Sequence, residues 1–547
     1  MGKTTPPSPH SCNALQSAHK HSLFPLAAKI VSTMKTNFYL RGLLLAMVAL
    51  IPSCQANPYP PTSLTSSSIY KHKRVAMSQA IEALQRNLSG SRLVLRNTTE
   101  YEELNASYLS ALESDLSPAC IFLPSTKEQI AEFIKVIGPF VDAGDVAFAI
   151  RGAGQVPLPG AANIANGITM DLRNLTGVEL ADGYVSVAAG ERWSSVYSKL
   201  SAVGLATTGS RSGNGGIGGL ALEGGLSFFS SREGFVCDNV INYEIVLASG
   251  AIVNANANSN SDLWLALRGG ANNFGVVTRY DLRTFTQSPF WGGSPSFPSQ
   301  IEALVTELQK PNPSTQTQIM ISIGYASAFG MVACQNQVYY TEDVQNPPVL
   351  EPFTAIEPQI NALNSLRPLN LTSASSEQAS DAKGSQRLAY MNIVVKADNA
   401  TLQAASSIYT TAIQNVTSTP GLICSLTLQP YPVSLLQKSV VNGGNSLGLS
   451  PADGPLVSVL LLTYWQNESD DVTVLGTMRG ALEKIKAESV ARNTAVDYIF
   501  MNYASGFQDP IGSYGAENKK KLQNVSRKYD PAGLFQKGVP GGFKLFA

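Results

Sequence analysis

The chain has 547 residues, 44% of them apolar, and its 39 Lys and Arg balance 39 Asp and Glu. So much apolar content can bury at least one large core, while a net charge of zero argues against a nucleic-acid partner, which needs a basic patch or a high pI. The four histidines, His10, His19, His21 and His72, all precede the body of the chain. That excludes Ser-His-Asp and Cys-His catalysis and histidine-ligated metal sites, and no metal is expected.

Residues 1–33 are polar and patternless. From Met34 the chain reads as a secretory signal: Lys35 and Arg41 form a positive n-region, Gly42 to Ile51 is apolar, and Ser53-Cys54-Gln55-Ala56 is a small-residue cleavage site. The apolar run is too short to span a bilayer, so the expectation is a true start at Met34, cleavage after Ala56 and a secreted protein with no membrane anchor. Glycosylation sequons at Asn87, Asn97, Asn105, Asn174, Asn370, Asn399, Asn415, Asn467 and Asn524 agree with that. Cys120, Cys237, Cys334 and Cys424 then allow up to two disulfides in three pairings, and their spacing matches no metal site.

Residues 57–74 are rich in Pro, Ser and Thr and are expected to be disordered, with a helix over VAMSQAIEALQRNL after them. A second helix is expected from Ser125 and Glu128, a capping box, with Ile130, Phe133, Ile134 and Ile137 on one face. The strand VAFAI runs into a first glycine-rich loop, Arg151–Gly160. Strand-like GITMDLRNLTGVEL and YVSVAAGERW follow, then a helix ending near Gly204. A second glycine loop, Gly209–Gly225, precedes a hairpin across Ser249-Gly250. SDLWLALRGGANNFGVVTRYDLRTF reads as a helix, a Gly-Gly break and a strand. Over 290–485, strands such as TQTQIMISIGYAS, YMNIVVKA and VSVLLLTYW alternate with helices, the texture of an α+β domain on an antiparallel sheet.

Glycine clusters supply positive φ and remove Cβ, so consecutive amides can cradle an anion. Ordinary tight turns explain one such loop; two long ones in one region suggest a dinucleotide. Neither is a P-loop, and GNGGIGG lacks the βαβ unit and acidic residue of a Rossmann fingerprint.

The segments AIRGAGQVPLPGAANIANGITMDLRNL, GGIGGLALEGGLSFFSSREGFVCDNVINYEIVLASG and LWLALRGGANNFGVVTRYDL resemble the FAD-binding PCMH-type domain of the vanillyl-alcohol oxidase superfamily. The closing MNYASGFQDPIGSYGAENKKKLQNVSRKYDPAGLFQKGVPGGFKL resembles the berberine-bridge-enzyme-like group of that superfamily, fungal type. The resemblance implies an α+β fold: a two-subdomain FAD-binding domain at 113–287, a substrate domain on an antiparallel sheet at 288–490, and a C-terminal segment, 491–547, that returns to the FAD domain. Residues 1–56 would be the signal region and 57–112 a linker and helix.

By the same resemblance, Arg151, Gly152, Ala153, Gly154, Gln155 and Val156 would cradle the FAD pyrophosphate. Gly216, Ile217, Gly218 and Gly219 would border the flavin. Asn239, Val240, Val276 and Val277 would line the adenine and ribose end, and Asn502 and Tyr503 would return to the isoalloxazine. Cys237 lies nominally in this shell, where a buried inert thiol is its expected role. Many relatives tether FAD through a histidine in the first loop and a cysteine before the second. Gln155 and Ser212 occupy those positions and can make neither bond, so FAD is expected to be non-covalent. Glu223 stands where relatives commonly have glycine, and a carboxylate near a pyrophosphate is unfavourable unless it points away. The implied activity is hydride transfer from a small organic substrate to flavin, with molecular oxygen as electron acceptor. With no histidine, a tyrosine or carboxylate must take the proton; Tyr503 is the leading candidate, and core packing is expected for Tyr464 and Tyr390. The alternative is a flavin-binding protein without redox turnover.

Overall fold

The computed structural model describes residues 64–88, 90, 92–296, 298–360, 364–379 and 386–547; the expected signal region, residues 1–56, lies outside them. The first described element is a helix, Leu64–Asn87, which begins inside the stretch expected to be disordered. Its buried stripe is Ala76, Ala80, Leu84 and Leu88, and the last three pack in one core with Ile130, Phe133, Ile134 and Ile137. Once that end is anchored, extending a helix costs little, so the exposed His72, Lys73 and Arg74 remain helical.

Residues expected as a linker also supply a strand. β1 (Arg92–Leu95), β2 (Cys120–Leu123), β3 (Phe148–Arg151) and β4 (Ile168–Asp171) form a sheet in the order β1-β2-β4-β3. β1 runs antiparallel to β2, and the other pairs are parallel. The crossover from β2 to β3 is the helix Lys127–Asp142, and its cap sits one residue beyond the expected one. Thr126 Oγ1 accepts from the Gln129 amide at 3.3 Å, and Gln129 Oε1 accepts from the Ser125 amide at 2.8 Å.

A second, antiparallel sheet holds β5 (Val178–Ala181), β6 (Tyr184–Ala188), β8 (Val240–Val246), β9 (Ile252–Asn256) and β10 (Val276–Arg283), in the order β5-β6-β10-β8-β9. The hairpin β8–β9 turns at Gly250, whose φ of +78° is one that glycine adopts freely. A short ribbon pairs β7 (Leu205–Ala206) with β11 (Phe285–Thr286).

The third sheet is entirely antiparallel: β12 (Phe290–Gly293), β13 (Thr317–Ala326), β14 (Met331–Tyr340), β15 (Arg367–Leu369), β16 (Arg387–Lys396), β17 (Ile423–Tyr431), β18 (Leu456–Trp465) and β19 (Ala495–Val496), in the order β15-β12-β14-β13-β17-β18-β16-β19. Alternation divides its residues by face. Ile321, Leu426, Leu428, Val459 and Ile393 pack in one cluster with Leu402, Met478 and Leu482 of the helices Asn399–Ala412 and Asp471–Ala491. Their alternates Ser322, Ser425, Thr427, Leu460 and Leu462 face a cavity. The fold is α+β.

The C-terminal segment is stitched to both parts. Asn392 of β16 exchanges two 3.0 Å hydrogen bonds with the Phe500 backbone, Phe148 of β3 donates to Gly538 O at 2.7 Å, and Asn273 donates to Phe543 O at 2.9 Å. Cys120, Cys237, Cys334 and Cys424 are all free thiols, so the two disulfides that their number allows are not formed.

Candidate functional site

The two glycine loops and the free face of the third sheet enclose a cavity of about 500 Å³. Gly152, Ala153, Gly154, Gln155 and Val156 line it from the first loop, and Ser212, Gly216, Gly218 and Gly219 from the second. Val276 and Val277 of β10 form one wall, and Asn502 and Tyr503 close another. The amides of Ala153, Gly154, Gln155 and Val156 donate to no protein acceptor among the described residues, which leaves them for a ligand. At Gly152 and Gly219 no atom stands within 4 Å of where a Cβ would be, so packing does not demand glycine there.

Four of the expected ligand residues are elsewhere. Arg151 is 1% exposed and turned away from the cavity. Its guanidinium donates to Leu104 O at 2.8 Å and Ser107 O at 2.7 Å, lies 3.4 Å from Asp171 Oδ2, and stacks on Tyr108. A strand residue next to a loop alternates away from the loop's open side, and Arg151 props the loop from behind. Ile217 is wholly buried in the first core. Asn239 spends its amide on Glu233 O at 2.8 Å and Phe235 O at 3.0 Å, and Val240 is core, its carbonyl accepting from Trp264 and Arg268. Both shape the turn into β8 rather than the cavity. Gly154 does line the cavity, yet the fold needs it glycine as well: its φ is +65°, and a Cβ would stand 2.9 Å from Arg151 Nε. Cys237 is fully buried beside Asp238, and burial pushes its thiol well up.

Tertiary contact brings in residues the sequence did not single out. Arg192 ties the loops together, donating to Ala153 O of the first at 3.4 Å and to Asn214 O of the second. Glu113, buried and 0% exposed, accepts from the Gly160 and Ala162 amides at 2.9 and 2.8 Å and so closes the first loop. Burial pushes its carboxyl up to about 7 against those bonds. Arg211 is the one cation among the lining residues; its Nη2 donates to Tyr503 Oη and to Gln429 Oε1, both at 2.7 Å. An arginine alone in a glycine run was a signal that could have been read. Gln429 gave none.

Around Tyr503 the wall is aromatic and hydroxylic. Tyr390 meets its ring edge-on with centroids 5.6 Å apart. Tyr390 and Tyr464 both line the cavity instead of packing in the core, because β16 and β18 turn those positions to the free face. Thr427 Oγ1 bonds Ser322 Oγ at 3.0 Å and Ser425 Oγ at 3.1 Å, so three hydroxyls form a strip across β13 and β17. Glu223 also lines the cavity, its Oε2 accepting from Asn502 Nδ2 at 3.2 Å, and burial pushes its carboxyl up to about 8.

Comparison with known proteins places this geometry. The FAD binding domain family matches residues 118–256. The chain is 33% identical over 488 residues to the FAD-dependent monooxygenase CTB5 of Cercospora beticola, covering 86% of this chain and 92% of that protein. Among solved structures, BBE-like 1 of Physcomitrella patens superposes with a TM-score of 0.68 at 19% identity, over 83% of this chain and 97% of that one. The glucooligosaccharide oxidase of Acremonium strictum, whose FAD is 6-S-cysteinyl and 8α-N1-histidyl, does so with a TM-score of 0.67 at 16% identity, over 87% and 100%.

Proposed function

Since the chain belongs to the FAD-dependent oxidoreductases with a PCMH-type FAD-binding domain, alongside the fungal FAD-dependent monooxygenases, we propose that it oxidises a small organic substrate held against the free face of the third sheet, with Tyr503 as the proton acceptor. The observation that carries this is the placement of Tyr503 Oη. It lies where the glycine-loop cavity meets the sheet, fixed by Arg211 at 2.7 Å and by Gln429 at 3.4 Å.

The residues fit FAD. The unpaired amides of Ala153 to Val156 would meet the pyrophosphate, and the open positions at Gly152 and Gly219 leave room for its approach. Bound FAD supplies a two-electron acceptor. The protein's share is orientation and the proton. The hydroxyl strip of Ser322, Thr427 and Ser425 holds the polar edge of the substrate, and Leu460, Leu462 and Tyr390 pack against its carbon frame. The substrate's proton passes to Tyr503 Oη in its phenolate form, whose negative charge the Arg211 guanidinium balances before the transfer and which is neutral after it.

Gln155 and Ser212 both stand on the cavity wall, and neither has the imidazole or thiol of the tethers named for the glucooligosaccharide oxidase. This supports non-covalent FAD. We further propose molecular oxygen as the acceptor and secretion as the destination; seven of the nine sequon asparagines, all but Asn105 and Asn399, are exposed, which supports passage through a glycosylating compartment. Anaerobic mixing with a panel of alcohols, phenols and sugars tests the activity. One member should bleach the flavin, and Tyr503→Phe should bleach about 10²–10⁴-fold more slowly while retaining FAD. Equal rates would refute Tyr503 as acceptor, and a panel without bleaching would return the reading of a flavin carrier.

A further inference from the structure

Glu223 is the one carboxyl on the cavity wall, at the C-terminal end of the helix Ile217–Leu222. Glu223 is half-buried, and it lines the cavity. A carboxylate drawn largely out of water is normally paired with a cation or wrapped in donors. Glu223 has neither. Its Oε2 receives one hydrogen bond, from Asn502, and its Oε1 makes none to protein among the described residues. No ion pair reaches it there. Asn502 is itself committed, accepting from the Gly225 amide at 3.0 Å and donating to Gly219 O at 3.3 Å.

The groups packed around it offer no compensation. Tyr503 is engaged by Arg211 and Gln429. Tyr514 donates to Gly269 O at 3.1 Å. The Cys237 thiol lies beside Asp238, and Asp238 is held by Ser439 and Asn445. Arg211 spends its guanidinium on Met320, Gln429 and Tyr503, and Arg268 on the carbonyls of Val240, Asn442 and Gly444. An acid in such a place keeps its proton through neutral pH, in line with the upward push that burial alone exerts on it.

We infer that Glu223 is a cofactor-binding residue in its neutral form, donating its carboxyl hydrogen to an oxygen of bound FAD and thereby coupling FAD binding to one proton. This rests on the FAD reading above. It reverses the expectation that a carboxylate here is unfavourable unless it points away. As a neutral acid it donates where glycine cannot; once ionised it sets a negative charge in the same cavity as the diphosphate. Binding therefore holds the proton, and affinity is full below the carboxyl's own titration and falls as pH rises through it. Lys544 also stands near this ligand, its Nζ donating to the cavity residue Asn272 at 2.9 Å. Its loss of charge with rising pH also weakens anion binding, so the comparison must isolate Glu223.

The test is FAD titration of the apoprotein, parent and Glu223→Gln, from pH 6.5 to 9.5, followed by flavin fluorescence. Gln retains the acceptor for Asn502 and the shape, and it cannot ionise. The parent's Kd should rise about tenfold per pH unit beyond 8, in excess of any rise in the variant. Calorimetry at pH 9 in two buffers of different ionisation enthalpy should show the parent taking up about one proton more than Glu223→Gln. Identical pH dependence in the two proteins overturns the inference and leaves the FAD reading standing. Failure of the parent to bind FAD at any pH overturns both. Should Glu223→Gln not fold, the same calorimetry on Lys544→Gln removes the competing group: uptake of about one proton at pH 9 supports the inference, and no uptake overturns it.

Discussion

Gly154 and Gly152 lie two residues apart in one loop, and their substitution should fail in opposite ways. At Gly154 the backbone is left-handed, φ +65°, and a Cβ would stand 2.9 Å from Arg151 Nε and 3.0 Å from both Arg151 Nη2 and Tyr108 Cδ1. The left-handed conformation costs an alanine about 1–2 kcal/mol, and overpacking against a buried neighbour adds about 1–3 kcal/mol. Arg151 cannot swing aside without breaking its bonds to Leu104 and Ser107. Gly154→Ala should therefore destabilise the apoprotein by about 2–5 kcal/mol, lowering Tm by roughly 2 °C for each kcal/mol in a chain this long. At Gly152 φ is outside the left-handed region and a Cβ meets nothing within 4 Å. Gly152→Val should leave the apoprotein Tm unchanged and push a side chain into the space a diphosphate would occupy. The same overpacking cost, now falling on the ligand, weakens FAD binding about 10- to 100-fold. The assay is a thermal melt of each apoprotein beside an FAD titration. An unchanged melt for Gly154→Ala would refute the packing argument, and full FAD affinity in Gly152→Val would refute the placement of the cofactor.

Glu113 provides a pH test: burial holds its folded carboxyl near 7, above its ordinary value of 4.5, so the folded state binds the proton more tightly. Its contribution is complete below about 4.5 and is lost as pH rises to about 7, and Glu113→Gln should flatten the Tm–pH curve across that window; an unaltered curve would show the carboxyl is not so perturbed. Acid precipitation should leave the yellow colour in the supernatant, and flavin retained in the pellet would point to a tether other than residues 155 and 212. Secreted protein should begin at Asn57 and carry glycans at exposed sequons but not at Asn105, whose buried amide donates to Ser114 O at 2.7 Å; an intact 1–56 segment on soluble protein would refute the signal reading.

Local chemistry was written in the order of residues. The loops at 151–160 and 209–225 announce themselves by their density of glycine, and the helix at 127–142 because its apolar side chains recur with the helical period. The hairpin at Gly250 follows from a single turn residue. Even there, one-residue detail escaped: the cap is Thr126, not Ser125, since adjacent hydroxyls compete for the same amides and only the folded geometry selects between them. Which side a residue faces was not legible. Arg151 and Gly152 are neighbours, yet one props the loop and the other opens on the cavity. Period-two alternation separates the faces of β13, β17 and β18 but does not say which face meets the helices. That depended on where the helices Asn399–Ala412 and Asp471–Ala491 pack, and it turned Tyr390 and Tyr464 to the cavity. Arg211, Gln429 and Tyr503 are separated by 218 and 292 residues from the first to each of the others. No local pattern links them, because their meeting is a product of sheet register and of the chain's return after Asn392 fixes Phe500.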